Sequence, residues 1–422
     1  MFSTLRNAWK VPDIRKKMLY TVLMLLVYRI GAHVPVPGVD VTYVAETIKS
    51  STFGQFLDLF SGGLSNFSLF ALGITPYITA SIIMNLLTMA IPPLERLSKE
   101  GPEGRKKIAS ITRYVGVLLG LIQAISILLA LGGEAILKTG TPMILNHITI
   151  VLCLTAGTAL IMWIGEHITE NGIGNGVSLI IFISIISRLP QEGLTLLRMA
   201  QNPNYPTSYL TILVILIAAV IIVTGITFID LGERRIPVQY AKRVIGRKIY
   251  GGQSTHIPMK INQSGVLPLI FAVTLIQFPS MIIGLFSPGA QKGYDSVMGS
   301  GTPLYLVLYA LLIFFFTFFY SQVSFNTVDV AKNMQQNGGF IPGIRAGKPT
   351  SDYLQKILVR VTLFGAIFLA LVATVPTGIS AIAGFASAFG ATSLLIMVNV
   401  SLETTRQLES HLMMRHYKGF LK

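Results

Sequence analysis

Ten runs of apolar residues divide this chain of 422 residues, at 18–32, 70–91, 111–131, 148–164, 174–189, 210–229, 266–286, 304–320, 357–375 and 385–402. A helix that crosses a bilayer needs about 20 mostly apolar residues, and most of these runs approach that length. Only 12% of the residues are charged. Soluble domains carry about 25%. The mean hydropathy is +0.65. These features predict a polytopic, all-α membrane protein with ten spans. The fifth run is short. Its 16 residues reach roughly 24 Å at 1.5 Å per residue, against a hydrocarbon core of about 30 Å. It is therefore expected to pack against protein along much of its length. The amino-terminal stretch is polar and basic, and the apolar run after it lacks a clear cleavage site, so a cleavable signal peptide is not expected.

The stretch 52–91 departs from this plain pattern. A short amphipathic piece spans 53–60, followed by Gly62, Gly63, Gly73 and Pro76. Unbroken apolar sequence begins only at Ile78. Broken backbone at membrane depth survives only where protein or a water-filled cavity satisfies the freed amides. Two readings stand at this point: a short helix lying in a cavity, or a surface loop that precedes a span.

Charge orients the spans. Ten spans place both termini on one side, and that side carries 27 of the 33 Lys and Arg residues. The other side carries five, and Arg29 lies within the first run. The basic side is read as cytoplasmic. It includes two long loops. The loop 230–265 holds Arg234, Arg235, Lys242, Arg243, Arg247 and Lys248, and the loop 321–356 holds GGFIPGIRAGK with Arg345 between glycines. Basic loops can serve anionic lipid headgroups. The Gly-Pro punctuation around Arg345 points further, to an ordered turn that presents one cation.

Enzyme chemistry finds little support. GEHITE sets Glu166, His167 and Glu170 at a helix end without the H-E-x-x-H spacing of a zinc site. GIGNG at 172–176 lacks the spacing of a dinucleotide loop. The lone Cys153 provides neither a disulfide nor a metal cluster. Ionisable residues are nearly missing from the spans, whereas proton- or ion-coupled transporters place them at mid-membrane. Uncharged polar residues do occur there: Thr79, Asn85, Gln123 and Gln277. Such residues commonly bond helices together. They also suit an interface that has to open.

Several motifs stand in order: FSGG at 60–63, ALGITPYITASII at 71–83, WIGEHITENGIGNG at 163–176, YAKR at 240–243, GGQSTHIPMKIN at 251–262 and GGFIPGIRAGK at 338–348. With them the chain resembles the SecY family, the channel subunits of the bacterial Sec protein translocase, over essentially all ten spans. The resemblance implies two pseudo-symmetric five-helix halves, an inverted repeat over 1–190 and 191–422, around an hourglass pore. It implies a plug helix matching 52–66, with Phe53, Phe56, Leu57, Leu59, Phe60, Ser61, Gly62 and Gly63. It implies a waist of six aliphatic side chains at Ile74, Ile78, Val177, Ile181, Ile270 and Ile396; Val177 replaces the usual isoleucine. Thr79, Gln123 and Phe278 match positions of a lateral gate between spans 2 and 3 and spans 7 and 8. Asn85 and Gln277 join them here on polarity alone.

The implied partners are SecE, SecG, the SecA motor ATPase, the ribosome, signal sequences, unfolded preproteins and membrane lipid. Docking is implied for the two long loops, with Arg345 matching the family's loop arginine. The implied location is the bacterial cytoplasmic membrane with both termini cytoplasmic. No catalytic residue, cofactor, metal or nucleotide site is implied.

Elementary physics favours the same kind of device. An extended chain in hydrocarbon would expose unpaired amides, each costing several kcal/mol, so it must cross through water. A narrow apolar neck blocks ions by dewetting and offers no fixed binding to the passing chain. The pairs Ile74/Ile78 and Val177/Ile181 each lie on one helix face, although ordinary packed isoleucines share that spacing. Two other classes stay open on the sequence. A secondary transporter predicts a polar mid-membrane site. An intramembrane enzyme predicts convergent catalytic side chains.

Overall fold

A computed structural model gives the structure of the chain. It describes residues 2–50, 62–64, 66–131, 142–201, 209–240, 243–245, 248–250, 254–286, 288–299, 302–382 and 391–419. The chain forms two compact units. Unit 1 comprises Met1–Tyr209, Ile276–Gly299 and Val400–Lys422; unit 2 comprises Leu210–Leu275 and Ser300–Asn399.

Each of the ten apolar runs contains a helix among its described residues, although the second run is irregular from Phe70 to Ile74 and the fifth is helical only from Gly176 to Ile186 before a turn. Unit 1 begins with α1 (Phe2–Lys10), α2 (Pro12–Gly31) and α3 (Val41–Ser50). Asp40 starts α3 by accepting hydrogen bonds from the backbone N–H of Thr42 and Tyr43 and from the Thr42 hydroxyl. These bonds, the hydroxyl's first, hold its carboxyl below the usual carboxylate range. Then come α4 (Thr75–Ala90), α5 (Pro92–Lys99), α6 (Pro102–Leu131), α7 (Met143–Asn171), α8 (Gly176–Ile186) and α9 (Leu189–Gln201). Pro92 and Pro93 stop α4, because neither supplies an N–H to continue it. The chain bends by 100° between α4 and α5.

Among the described residues, six helical stretches are each long and apolar enough to cross a membrane, and the bent α4–α5 pair makes a seventh. The other three expected spans have identifiable reasons to fall short. α2 carries Arg15, Lys16 and Lys17 in its first turns. Helix α11 (Leu267–Phe286) carries only a short apolar stretch, Leu267–Ser280, and is followed by α12 (Pro288–Met298). The last apolar run begins among residues 385–390, outside the described residues, and its helix α16 is described from Ala391 to Gly419.

α8 is shorter than the run that predicted it. Its 11 residues reach only about 16 Å. As expected, it is packed in protein: Leu179, Ile180, Ile181, Ser184 and Ile185 are all buried. GIGNG is the turn that delivers it. Asn175 caps α8 by accepting from the N–H of Val177 and Ser178. Gly174, at φ +90°, donates its N–H to Gln407. A side chain at Gly176 would collide with the carbonyl of Gly165, so glycine there lets α7 and α8 meet closely.

Unit 2 contains α10 (Tyr209–Leu231), most of its two long loops, α13 (Pro303–Ser324), α14 (Thr327–Gln336) and α15 (Lys348–Ile382). α13 and α15 are joined by a buried hydroxyl pair, Ser321–Thr362, at 2.6 Å. Phe271 stacks edge-on against Tyr320, with ring centroids 4.7 Å apart.

The two long loops contain short strands that an all-helical reading of the chain did not anticipate. They are β1 (Glu233–Tyr240), β2 (Arg243–Ile245), β3 (Lys248–Tyr250), β4 (Ser254–Lys260) and β5 (Gly339–Phe340). β1 lies between β4 and β5, antiparallel to both. β2 and β3 form a separate hairpin. Along β1, buried Ile236 and Val238 alternate with exposed Arg235, Pro237 and Gln239, the period-two pattern of a strand with one dry face.

Candidate functional site

In unit 1 the broken stretch before α4 is the centre of interest. Of the expected plug residues, Phe53, Phe56, Leu57, Leu59, Phe60 and Ser61 lie outside the described residues. From Gly62 on, the chain is folded without regular structure yet enclosed. Leu64, Phe67, Phe70, Leu72 and Ile74 are buried. Its backbone groups are paired internally: Val36 N–H donates to Phe67 O at 3.0 Å, Leu69 N–H to Val34 O at 2.8 Å, and the Ser68 hydroxyl to Gly63 O at 3.1 Å. A surface loop would leave these groups to water. The described residues of 62–74, apart from exposed Asn66, are thus packed in protein rather than laid out as a surface loop; the short helix expected at 53–60 lies outside the described residues.

Packing sets the conformation here. Gly62 sits at φ +63°, and a side chain on it would approach Ser184 Cβ at 3.2 Å. A Cβ on Gly63 would lie 2.5 Å from Ser68 Oγ. Ser184 belongs to α8 and meets Tyr28 of α2 at 2.7 Å. Its hydroxyl also lies 2.8 Å from Ile180 O, within hydrogen-bond reach. The Tyr28 ring also stacks flat on Phe70. Arg29, next along α2, places a buried Nη1 without a hydrogen-bond partner 3.5 Å from where a Gly62 Cβ would stand. Neither Tyr28 nor Ser184 was legible as a site residue, since 156 positions separate them in sequence.

The six expected waist residues are divided between the units. In unit 1, Ile74 is fully buried just ahead of α4, and Ile78 follows one turn on, its N–H donated to Ile74 O. Val177 is half-buried in the first turn of α8, and Ile181 is buried one turn later. In unit 2, Ile270 is buried in the first turns of α11 and Ile396 is buried in α16.

Among the gate candidates, Thr79 returns its hydroxyl to Thr75 O within α4. Asn85 is exposed on that helix. Gln123 is buried in α6, where Gly116 and Gly120 allow close approach to Met162 and Thr158 of α7. Phe278 is 39% exposed on α11. Gln277 precedes it on that helix, and its side chain lies outside what is described. GEHITE resolves into an ion pair, Arg113 Nε to Glu166 Oε1 at 2.8 Å, and His167 packs its ring on Trp163.

In unit 2 the expected docking cations gather on the two loops. Arg234 and Arg235 are exposed on β1, with Arg235 paired to Glu233 at 2.7 Å. Arg243 and Lys248 occupy the β2–β3 hairpin, their side chains beyond the description; Lys242 and Arg247 lie outside the described residues. Arg345 is exposed between Gly343 at φ +81° and Gly347 at φ +96°. Its carbonyl accepts the Thr350 hydroxyl at 2.8 Å, which ties the turn to the start of α15.

The loops are one body. Gln239 and Tyr240 of β1 pair with Phe340 and Gly339 of β5. Beneath the sheet, Ile236, Val238 and Met259 share a core with Met334 of α14, Ile341, and Leu354 and Leu358 of α15. The signal for this in the sequence was the alternation along β1.

The model of the SecY family matches residues 68–405. The chain belongs to the SecY family. Relatives within it are close over full length. The protein translocase subunit SecY of Streptomyces galbus is 43% identical, with 100% of both chains covered. That of Mycobacterium bovis is 42% identical over the same full coverage. Solved structures share the SecY fold at lower identity. "The structure of a protein conducting channel" matches at TM-score 0.64 and 18% identity, covering 94% of this chain and 92% of that one. A canine Sec61 from a ribosome-channel complex matches at TM-score 0.59 and 17% identity, covering 94% and 92%.

Proposed function

We propose that this SecY-family chain is the channel subunit of a Sec translocase. It passes unfolded secretory proteins across the bacterial cytoplasmic membrane and releases transmembrane segments sideways into lipid. It is a conduit rather than an enzyme, and its partners supply the energy. The observation that carries this reading is the enclosed, irregular stretch from Gly62 to Ile74, folded inside apolar helices immediately before the aliphatic pair Ile74/Ile78. A chain segment held by packing rather than by helical hydrogen bonds can be displaced without unfolding a span. That is what a plug requires. The full-length relatives, named as translocase subunits, support the same assignment.

In this reading 1–190 and 191–422 form the two halves of the inverted repeat, and both termini are cytoplasmic. The stretch 52–66 is the plug. Ile74, Ile78, Val177, Ile181, Ile270 and Ile396 form the waist. Thr79, Asn85, Gln123, Gln277 and Phe278 line the lateral gate. The sheet carrying Arg234 and Arg235, the β2–β3 hairpin and the Arg345 turn receive the SecA motor and the ribosome; one related structure is described as a ribosome-channel complex. SecE and SecG complete the membrane assembly. A guanidinium held in a fixed turn suits bidentate pairing with carboxylate or phosphate.

A translocating preprotein arrested in the complex should crosslink to photoreactive residues placed at Ile78 and Ile270. Crosslinks confined to lipid at both positions would overturn the channel assignment.

A further inference from the structure

The docking loops meet the membrane part of unit 2 at a polar joint. Asp230 lies in the last turn of α10 and Asn262 lies two residues beyond β4; each is 7% exposed. Asn262 Nδ2 donates to Asp230 Oδ1 at 2.7 Å. The backbone closes around this pair. Gly232 N–H donates to Ile229 O at 3.1 Å, and Ile261 N–H donates to Gly232 O at 3.0 Å. A side chain at Gly232 would come within 2.6 Å of Ile261 Cδ1, and one at Gly365 of α15 would come within 2.6 Å of Ile261 O. The entry and exit strands of the loop are thus pinned together and against α15. Three residues past Asn262, Gly265 turns at φ +63°, and α11 begins with Ile270 in its first turns.

The joint is polar where an apolar one would hold more firmly. Asn262 Oδ1, Gln263 Oε1 and Ser264 Oγ are buried without hydrogen-bond partners. A buried polar cluster with spare acceptors is costlier than a packed apolar stem. Its gain lies in direction: a buried carboxyl–amide hydrogen bond fixes the angle at which β4 hands the chain to α11.

We propose that Asp230 and Asn262 are positioning residues that transmit the motion of the docked loop sheet into α11, and so to the waist at Ile270. This rests on the reading of the loops as a docking surface. The rigid sheet collects force from a bound partner. The polar pair prevents that force from being lost as rotation of the stem.

The test uses the assembled complex in proteoliposomes with its motor. Asn262→Ala should leave the motor concentration at half-maximal rate within twofold of wild type, and should lower preprotein transport at saturating motor at least fivefold. The exchange Asp230→Asn with Asn262→Asp rebuilds the bond in reverse and should restore at least half of the rate. Should Asn262→Ala fail to assemble, Asn262→Ser carries the same measurement. A parallel loss of motor binding, an unchanged rate, or an assembled exchange variant as slow as the single one would each overturn the proposal. A wild-type complex that binds no motor would instead break the docking reading.

Discussion

Two glycine-rich regions carry the interest of this molecule, and they differ in what surrounds the glycines. At Gly63 there is no space for a side chain, because Ser68 Oγ and the Ala32 carbonyl crowd the position, and its neighbour Gly62 combines a φ of +63° with close contact to Ser184. At Gly343 nothing lies within 4 Å, and Gly347 meets only the end of the Gln335 side chain. There the requirement is φ, +81° and +96°. The Gly62–Gly63 segment is shaped largely by its surroundings, and the Arg345 turn by its own backbone. A region shaped by its surroundings changes when they move. A region shaped by its backbone keeps its form while its partners come and go. The first suits a gate, the second a docking point.

Three substitutions separate these behaviours. Arg345→Glu reverses the one cation presented by the self-shaped turn without touching any packing. Transport should fall at least tenfold, while thermal stability of the purified complex stays unchanged. Near-normal transport would reduce Arg345 to a solvated loop residue. Gly63→Val forces volume against Ser68 and Ala32. Overpacking typically costs about 1–3 kcal/mol, and this should appear as a lowered melting temperature together with raised ion conductance in planar bilayers. A stable, tight channel would show that the plug end is not set by packing. Gly343→Ala adds a methyl into open space and pays only for the left-handed backbone, about 1 kcal/mol. Its melting temperature should barely move, and the motor concentration for half-maximal transport should rise only about twofold. A larger collapse than for Gly63→Val would invert the comparison.

The helical frame was legible because burial in lipid demands long apolar runs, and those survive in the sequence without any knowledge of partners. The short fifth run already announced a helix held by protein. The strands were less legible: β1 offers only Arg235 to Gln239 as clear alternation, and β5 is two residues long. Ile74/Ile78 and Val177/Ile181 could be found by spacing, yet spacing cannot distinguish a waist from a core. Tyr28–Ser184 and Asp230–Asn262 were out of reach for a different reason. Each pair is made by the fold, from residues 156 and 32 positions apart.

The length of α15 has a consequence for reach. It starts at Lys348, nine residues before its apolar run begins at Ile357. Those residues lift the start of the helix about 13 Å above the hydrocarbon edge in an upright orientation. The Arg345 turn is fastened at that height. Headgroups occupy about 5–8 Å beyond the hydrocarbon edge and the Debye length at physiological salt is about 8 Å, so in that orientation the cation stands just beyond the headgroups, within about one Debye length of their phosphates. A partner that recognised Arg345 in that orientation would therefore meet it in the aqueous layer, with the lipid charge still acting beside it.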